Sequence, residues 1–84
     1  MMTLVYFAWV REMVGTDAET LTLPAELTTV AALLDWLATR SAGHAAALAN
    51  RNRIRVAVDQ QFASPGTLLA GAREVAIFPP VTGG

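Results

Sequence analysis

One strand-length segment near the start of the chain is apolar on both of its alternating sides. It runs from Thr3 to Trp9 and reads TLVYFAW. Successive side chains of a strand point to opposite faces, so a strand that is apolar on both sides is covered on both faces. The segment therefore predicts a strand in the middle of a sheet, and a fold for this chain must be built around it.

Four later segments also have the composition and alternation of strands, and turn residues separate them. They are residues 19–23, 53–58, 61–63 and 74–78. Residues 10–18 are predicted to be a long connection that closes an antiparallel hairpin between the first two strands. The last strand is expected to end at Pro79 and Pro80, because proline cannot donate to a ladder.

One substantial helix is predicted between the second and third strands. Its apolar stripe consists of residues at i, i+3, i+4 and i+7, namely Val30, Leu33, Leu34 and Leu37. Thr28 or Thr29 can cap its start and Gly43 can end it, which gives a helix over residues 30–40. A second, shorter helical piece is expected over residues 44–50.

The element order β-β-α-β-β-β predicts an α+β fold, a mixed four- to five-stranded sheet with one main helix on one face. The strand residues expected to face that helix are Leu4, Tyr6, Leu21, Leu23, Val56, Val58, Val75 and Ile77. Phe7, Phe62 and Phe78 are then left on the other face or at its margin. An apolar patch on a small protein usually marks an interaction site, so we predict docking onto another protein through this face. The alternative is that loops cover these aromatic side chains.

The composition excludes most kinds of active site. The chain of 84 residues has no cysteine and one histidine, so thiolate and multi-histidine metal sites are excluded and no metal is predicted. His44 is expected to be a surface or capping residue, and Ser41 and Ser64 to lack a histidine partner for nucleophilic catalysis. Six arginines, no lysine and a net charge of −1 favour neither nucleic acid nor an anionic membrane as partner. Since no apolar run is long enough to span a bilayer and no signal-peptide pattern is present, a cytoplasmic domain is expected.

The end of the chain is its most unusual feature. After the last predicted strand it reads Pro-Pro-Val-Thr-Gly-Gly, so we expect a folded domain over residues 1–78 and an extended tail over residues 79–84. The prolines stiffen the exit from the sheet, and six extended residues reach about 20 Å. Two glycines have no side chains, so they can pass through a narrow channel and present the carboxylate of Gly84.

Four motifs carry a resemblance to a known family. They are FA-x-VRE-x-VG at residues 7–15, TVAALL at 29–34, VAV-x-Q at 56–60 and EVAIFPPVTGG at 74–84. With them the chain resembles the ubiquitin-like β-grasp sulfur carriers, and among these the small subunits of molybdopterin synthases. Two departures are Asp59, where the family pattern has asparagine, and residues 70–73, where an acidic turn is usual.

The resemblance implies a β-grasp fold and a protein that enters the chemistry as a reactant. A partner activating enzyme would adenylate the Gly84 carboxylate with ATP, and sulfur derived from a persulfide would displace AMP to leave a thiocarboxylate. The residues that would thread into the large synthase subunit are Pro79, Pro80, Val81, Thr82 and Gly83. There the thiocarboxylate would give its sulfur to cyclic pyranopterin monophosphate, and two such transfers would build the dithiolene of molybdopterin.

The resemblance also implies roles for residues outside the tail. Phe7, Phe62 and Phe78 would form the docking patch used by both partners in turn. Arg11 matches the arginine of the VRE segment and would make an ionic contact with a partner. The catalytic pocket would lie on the large subunit, in a heterotetramer, and this chain would bind no cofactor of its own.

Three other functions remain open at this point. A sulfur carrier of the thiamine pathway shares the fold and the Gly-Gly end but serves a different acceptor. A ubiquitin-like modifier would be joined to lysines of other proteins, although the absence of lysine here excludes chains built through its own side chains. A binding module with an incidental tail is the third.

Overall fold

Five strands of the chain form one mixed sheet in the computed structural model, which describes residues 1–80. They are β1 (Met2–Tyr6), β2 (Ala18–Leu21), β3 (Arg55–Val58), β4 (Gln61–Ala63) and β5 (Glu74–Phe78). Their order across the sheet is β2-β1-β5-β3-β4. β1 and β5 are parallel neighbours, and the other adjacent pairs are antiparallel. The predicted fold is confirmed, with the first strand in the interior of the sheet.

Within residues 1–80 three α-helices accompany the sheet, α1 (Ala8–Val14), α2 (Val30–Leu37) and α3 (Ala42–Ala47). α2 is the main helix, and its hydroxyl cap is Thr29, which accepts the Ala32 N–H at 3.2 Å. The stripe predicted from the sequence is the buried side of this helix. α3 is capped in the same way by Ser41, which accepts the His44 N–H at 3.1 Å. No helix within residues 1–80 is long and apolar enough to cross a membrane.

The core lies between α2 and one face of the sheet. The predicted inward residues that are buried are Leu4, Tyr6, Val56, Val75 and Ile77. Leu21, Leu23 and Val58 are partly buried and pack against the same cluster. Each fully buried side chain of this size contributes about 1.5–3 kcal/mol, so this cluster is the main source of stability.

The segment after the first strand differs from the prediction. β1 ends at Tyr6 rather than Trp9, and the predicted long connection contains α1. The chain leaves the sheet at Ala8, whose φ is 53°, and Val10 is then fully buried. Gly15 ends the helix at φ 97°, and its N–H donates to the Arg11 carbonyl oxygen at 2.9 Å.

Two boundaries before the third strand also differ. β3 begins at Arg55 because Arg51–Arg53 form a single 3₁₀ turn, which Asn50 caps by accepting the Asn52 N–H at 3.0 Å. Ile54 is nevertheless buried, as its place in the alternation predicts. α2 ends three residues before the predicted limit, because residues 38–40 form a turn.

Candidate functional site

The sheet face that points away from α2 has small side chains, Ala57 and Ala76, at its centre. Strand register aligns Phe62 with Ala57, Ala57 with Ala76, and Ala76 with Val5. Directly paired residues share a face, so this row lies opposite the core face. Ala76, at the centre of the row, is only 9% exposed. Because the side chains at the centre of the face are short, there is space above them for larger side chains at the margin.

The three predicted phenylalanines lie at that margin. Phe62 is 82% exposed and Phe7 is 48% exposed, while Phe78 is half-buried. The rings of Phe62 and Phe78 lie 5.9 Å apart between centroids, inclined at 53°, and they meet above β3 because Ala57 is small. The Phe7 N–H donates to the Ile77 carbonyl oxygen at 3.2 Å, which places Phe7 beside Phe78. The structure thus brings all three to one face, and their role in partner binding stays a prediction.

The chain leaves this face through the two prolines. Pro79 and Pro80 are half-buried, and Pro80 joins Arg55, Phe62 and Phe78 in lining a shallow groove of about 390 Å³. The Arg55 guanidinium donates to the Ile54 carbonyl oxygen at 2.8 Å, which holds it at the rim of the groove. The predicted threading residues Val81, Thr82 and Gly83 and the predicted reacting residue Gly84 lie outside the described residues.

Arg11 is not part of this groove. It is exposed on α1, and it lines a separate depression together with Glu12, Thr16 and Asp17. Its backbone N–H donates to the Phe7 carbonyl oxygen at 3.3 Å, so the two residues are close through the backbone. The predicted ionic contact with a partner stays a prediction.

The groove is suited to contact rather than to proton transfer. Among the described residues that line it, the ionisable one is Arg55, and an arginine keeps its charge throughout the physiological pH range. Within residues 1–80, no three histidine, cysteine, aspartate or glutamate side chains are grouped to hold a metal ion. The groove therefore provides an apolar surface beside Pro79 and Pro80, the root of the tail.

A partly buried polar network was missed by the sequence prediction. Glu19 Oε2 accepts the Tyr6 hydroxyl at 2.6 Å and lies 2.8 Å from His44 Nε2, and His44 Nδ1 lies 2.7 Å from the Ser41 hydroxyl. His44 was predicted to be a surface or capping residue; it is 7% exposed, so the surface place is wrong, and it is bonded to Ser41, the cap of α3. Ser41, which was predicted to lack a histidine partner for nucleophilic catalysis, is hydrogen-bonded to His44. The available signal was that Glu19 shares the inward side of its strand with Leu21.

This network shifts the pKa values of two of its members. Burial raises the pKa of the Tyr6 hydroxyl, and the hydrogen bond to Glu19 raises it further. Burial acts to raise the pKa of the Glu19 carboxyl too, but the hydrogen bonds from Tyr6 and His44 outweigh burial and lower it. Glu19 is therefore ionised at neutral pH, and it joins β1 and α3 to the edge strand.

Comparison with known proteins assigns the chain to a family. The sequence model of the ThiS family matches residues 4–84, from the first strand through the Gly-Gly end. The chain belongs to the ThiS family. A relative in this comparison is the molybdopterin synthase sulfur carrier subunit of Escherichia coli K12, which is 43% identical over 84 residues, the full length of both chains.

Solved structures with the same fold support this assignment. The putative molybdopterin converting factor subunit 1 of Pyrococcus furiosus superposes with a TM-score of 0.77 at 26% identity, covering 95% of this chain and 97% of that one. The small archaeal modifier protein 1 of H. volcanii superposes with a TM-score of 0.70 at 28% identity, with coverage of 95% and 97%. The ThiS-family chain thus has a full-length relative named as a sulfur carrier subunit and a structural neighbour named as a modifier protein.

Proposed function

We propose that this ThiS-family chain is the sulfur-carrier subunit of a molybdopterin synthase. The observation that carries the proposal is the match of 43% identity over the full length of a relative with that name. The geometry supports it, because an apolar face lies beside the root of a tail that ends in two glycines. A carrier needs these two parts, a surface that docks and an end that reacts.

The chemistry takes place at the carboxylate of Gly84. A carboxylate is a poor electrophile, so an activating enzyme first joins it to AMP from ATP. The terminal sulfur of a persulfide then attacks the carbonyl carbon and AMP leaves, which joins the chain to the sulfur donor through an acyl disulfide. A second thiol of the donor system attacks the donor's sulfur in that S–S bond, so the donor is left as a disulfide and the thiocarboxylate is released. Sulfur is a better nucleophile than the oxygen that it replaces, which makes the charged carrier a sulfur donor.

The folded domain supplies recognition in both steps. Phe7, Phe62 and Phe78 dock first on the activating enzyme and then on the large synthase subunit, so the two complexes exclude one another. Docking brings the tail to the partner's pocket and raises the effective concentration of the thiocarboxylate there. The acceptor is cyclic pyranopterin monophosphate, and two transfers complete the dithiolene, in a heterotetramer whose catalytic groups belong to the large subunit. The described face contains no group suited to acid–base catalysis, which is consistent with this division of labour.

The test is an intact-mass measurement after incubation with the activating enzyme, ATP and a sulfur donor. We expect the mass to rise by the difference between one sulfur and one oxygen, with fragmentation placing the change at Gly84. Omission of ATP is the control and leaves the mass unchanged. The charged carrier is then mixed with the large subunit and cyclic pyranopterin monophosphate. Formation of molybdopterin supports the proposal, whereas a charged carrier that yields none points to another sulfur pathway, such as that of thiamine.

A second candidate function is attachment to other proteins. It is favoured by the structural likeness to the small archaeal modifier protein 1. In this reaction a lysine amine of the target would attack the activated Gly84 carbonyl, forming an amide and releasing AMP. Because this chain has no lysine, each target lysine would receive a single copy. A conjugate detected by mass on a lysine-bearing protein would support this function, and its absence would leave the carrier role alone.

A further inference from the structure

We infer that Trp9 and Arg53 form a second contact site for the large subunit, one that receives a carboxylate side chain of that partner beside the tail. The inference rests on the proposed function and adds to the phenylalanine face a recognition element of a different chemistry. Its parts come from α1 and from the 3₁₀ turn before β3. Arg53 is exposed, whereas Trp9 is half-buried and packs against the core cluster, so the ring is a fixed platform for the guanidinium.

The two side chains are already stacked. The guanidinium carbon of Arg53 lies 5.3 Å from the centre of the Trp9 ring, in the range of a cation–π contact. Together with Met13, which is 43% exposed, and the alanines at the end of α3 they line a groove of about 360 Å³. A guanidinium held over a ring can still offer its outward N–H groups to a planar acceptor. Stacking therefore prepares Arg53 to bind a carboxylate at little cost in side-chain entropy.

The groove lies at the end of the sheet from which the tail leaves. Trp9 follows Phe7 by two residues, and Phe7 is bonded to β5 beside Phe78. Arg53 precedes Arg55 by two residues, and Arg55 is paired directly with Phe78. The groove walls Trp9 and Arg53 are therefore each two residues away from a residue that neighbours Phe78. Phe78 is the last strand residue before the tail. A partner that encloses the tail must abut this end of the sheet, so its surface reaches the groove.

The charge of Arg53 is not matched within the described part of the chain. The ion pairs found in residues 1–80 join His44 to Glu19 and Arg51 to Asp35, and neither involves Arg53. A partner carboxylate would form the two parallel hydrogen bonds that guanidinium groups favour. The methylenes of that acidic side chain, or an apolar neighbour, would rest on Met13 and the alanine wall. The site is therefore suited to an acidic side chain of the partner that is flanked by apolar surface.

The chain contains a matched control for this stack. Arg40 lies over the ring of Trp36 at 5.1 Å, nearly the same distance as in the Arg53–Trp9 pair. That pair belongs to α2 and the turn after it, and Arg40 lies near Glu19 of edge strand β2, two strands away from β5. A second control is Arg73, which directly precedes β5 and so lies at the sheet end opposite the tail. Both controls carry the same charge as Arg53 but are placed away from the proposed contact.

The experiment measures binding of the purified large subunit by calorimetry. Arg53→Gln should weaken binding by about tenfold, as for other arginine anchors, and Arg53→Glu should weaken it further. Arg40→Gln and Arg73→Gln should change it by less than about twofold. Added salt should reduce the affinity of the wild-type chain more steeply than that of Arg53→Gln, because the variant lacks the charge. Trp9→Leu should reproduce the loss, with circular dichroism as the check on folding.

The outcomes separate this inference from the function on which it rests. If Arg53→Gln and Arg40→Gln bind alike, or the salt dependence of Arg53→Gln equals that of the wild type, the second contact site does not exist. If Trp9→Leu unfolds, the arginine series decides alone. If the wild-type chain itself neither binds the large subunit nor yields molybdopterin, the proposed function fails instead.

Discussion

The hydroxyl of Tyr6 donates a hydrogen bond of 2.6 Å to Oε2 of Glu19, joining interior strand β1 to edge strand β2. The same oxygen lies 2.8 Å from His44 Nε2. An ionised carboxylate only accepts, so Nε2 must carry a hydrogen. In the neutral imidazole Nδ1 is then the acceptor, and the Ser41 hydroxyl 2.7 Å away donates to it. One carboxylate thereby fixes the position of α3 against the sheet.

The network predicts a loss of stability in acid. The folded pKa of Glu19 lies below its ordinary value of 4.5, so its contribution is present above that pH and is lost as the pH falls through the folded pKa. Glu19→Gln should lower the free energy of unfolding at pH 7 and flatten its decline in acid. Urea unfolding at pH 7 and at more acidic values measures both. The exposed Glu26→Gln is the control, and equal behaviour of the two variants would contradict the assigned role.

Gly43 of α3 lies directly against the backbone of α1 at Met13 and Val14. A Cβ added there would collide with the Met13 carbonyl oxygen, which is backbone and cannot rotate away. Gly43→Ala should therefore destabilise the domain by about 1–3 kcal/mol or more. Gly66→Ala is the matched control, because a Cβ at that position meets nothing within 4 Å. Thermal unfolding of the two variants compares them, and similar midpoints would show that the helices can separate without cost.

The sequence predicts β5 and the two faces of the sheet well, because local residue patterns determine them. β5 and its end are determined locally, by the alternation of Val75 and Ile77 and by prolines that cannot pair. Strand alternation also places Phe62 and Phe78 on the outer face, although the contact between their rings depends on register. The two faces could thus be assigned before the structure was known.

Other parts depend on tertiary contacts that leave little trace in the sequence. The apolar run continues without a break through Ala8, so the change from strand to helix there could not be seen in composition. The spacing of Val10 and Val14 was the available sign of α1. The stack of Arg53 on Trp9 joins residues far apart along the chain, and nothing local predicts it.

Asp59 connects the β3–β4 turn to the start of β5 by side-chain hydrogen bonds. Its Oδ1 accepts the backbone N–H groups of Arg73 at 2.9 Å and Glu74 at 3.0 Å, and these two bonds lower its pKa. Asp59→Ala should destabilise the domain at neutral pH. Asp59→Asn should retain much of the stability, because an amide oxygen accepts the same bonds and asparagine tolerates the positive φ of 49°.

The comparison of the wild-type chain with Asp59→Asn also predicts a pH dependence. The folded pKa of Asp59 is lowered, so its stabilising effect is present above the ordinary value of 3.8 and disappears as the pH falls through the folded pKa. The asparagine variant does not titrate at this position and should lose less stability over that range. Chemical unfolding at several acidic pH values measures the difference. Parallel curves for the two proteins would show that the carboxylate is not the acceptor that matters.

The proposed function predicts a strict requirement for the length of the tail. Deleting Gly84 or adding an alanine after it moves the reacting carbon by about 3.5 Å, beyond the tolerance of a reactive geometry. Sulfur transfer should be abolished while the fold and the affinity for the large subunit are nearly unchanged. Molybdopterin formation and calorimetric binding are measured on the same samples. Normal activity of the extended chain, shown by mass to be unprocessed, would refute the mechanism.

Phe78 connects docking to the tail, because it ends β5 on the outer face, directly before the prolines. Truncating an aromatic side chain at an interface centre typically costs about 2 kcal/mol or more. Phe78→Ala should therefore weaken binding of the large subunit by about thirtyfold or more, at 1.4 kcal/mol per tenfold. The domain should remain folded, since Val75 and Ile77 are fully buried and supply the core packing of that strand.

A matched substitution keeps this prediction specific to the docking face. Leu68 is also a large apolar residue and is 66% exposed, but it lies outside the groove beside the tail. Leu68→Ala should therefore leave the affinity unchanged, whereas Phe62→Ala should weaken it, because Phe62 forms the other wall above Ala57. Calorimetry gives the affinities and circular dichroism the folded state. Equal affinities for Phe78→Ala and Leu68→Ala would exclude the outer face as the docking surface, and unfolding of Phe78→Ala would mean that the ring belongs to the core.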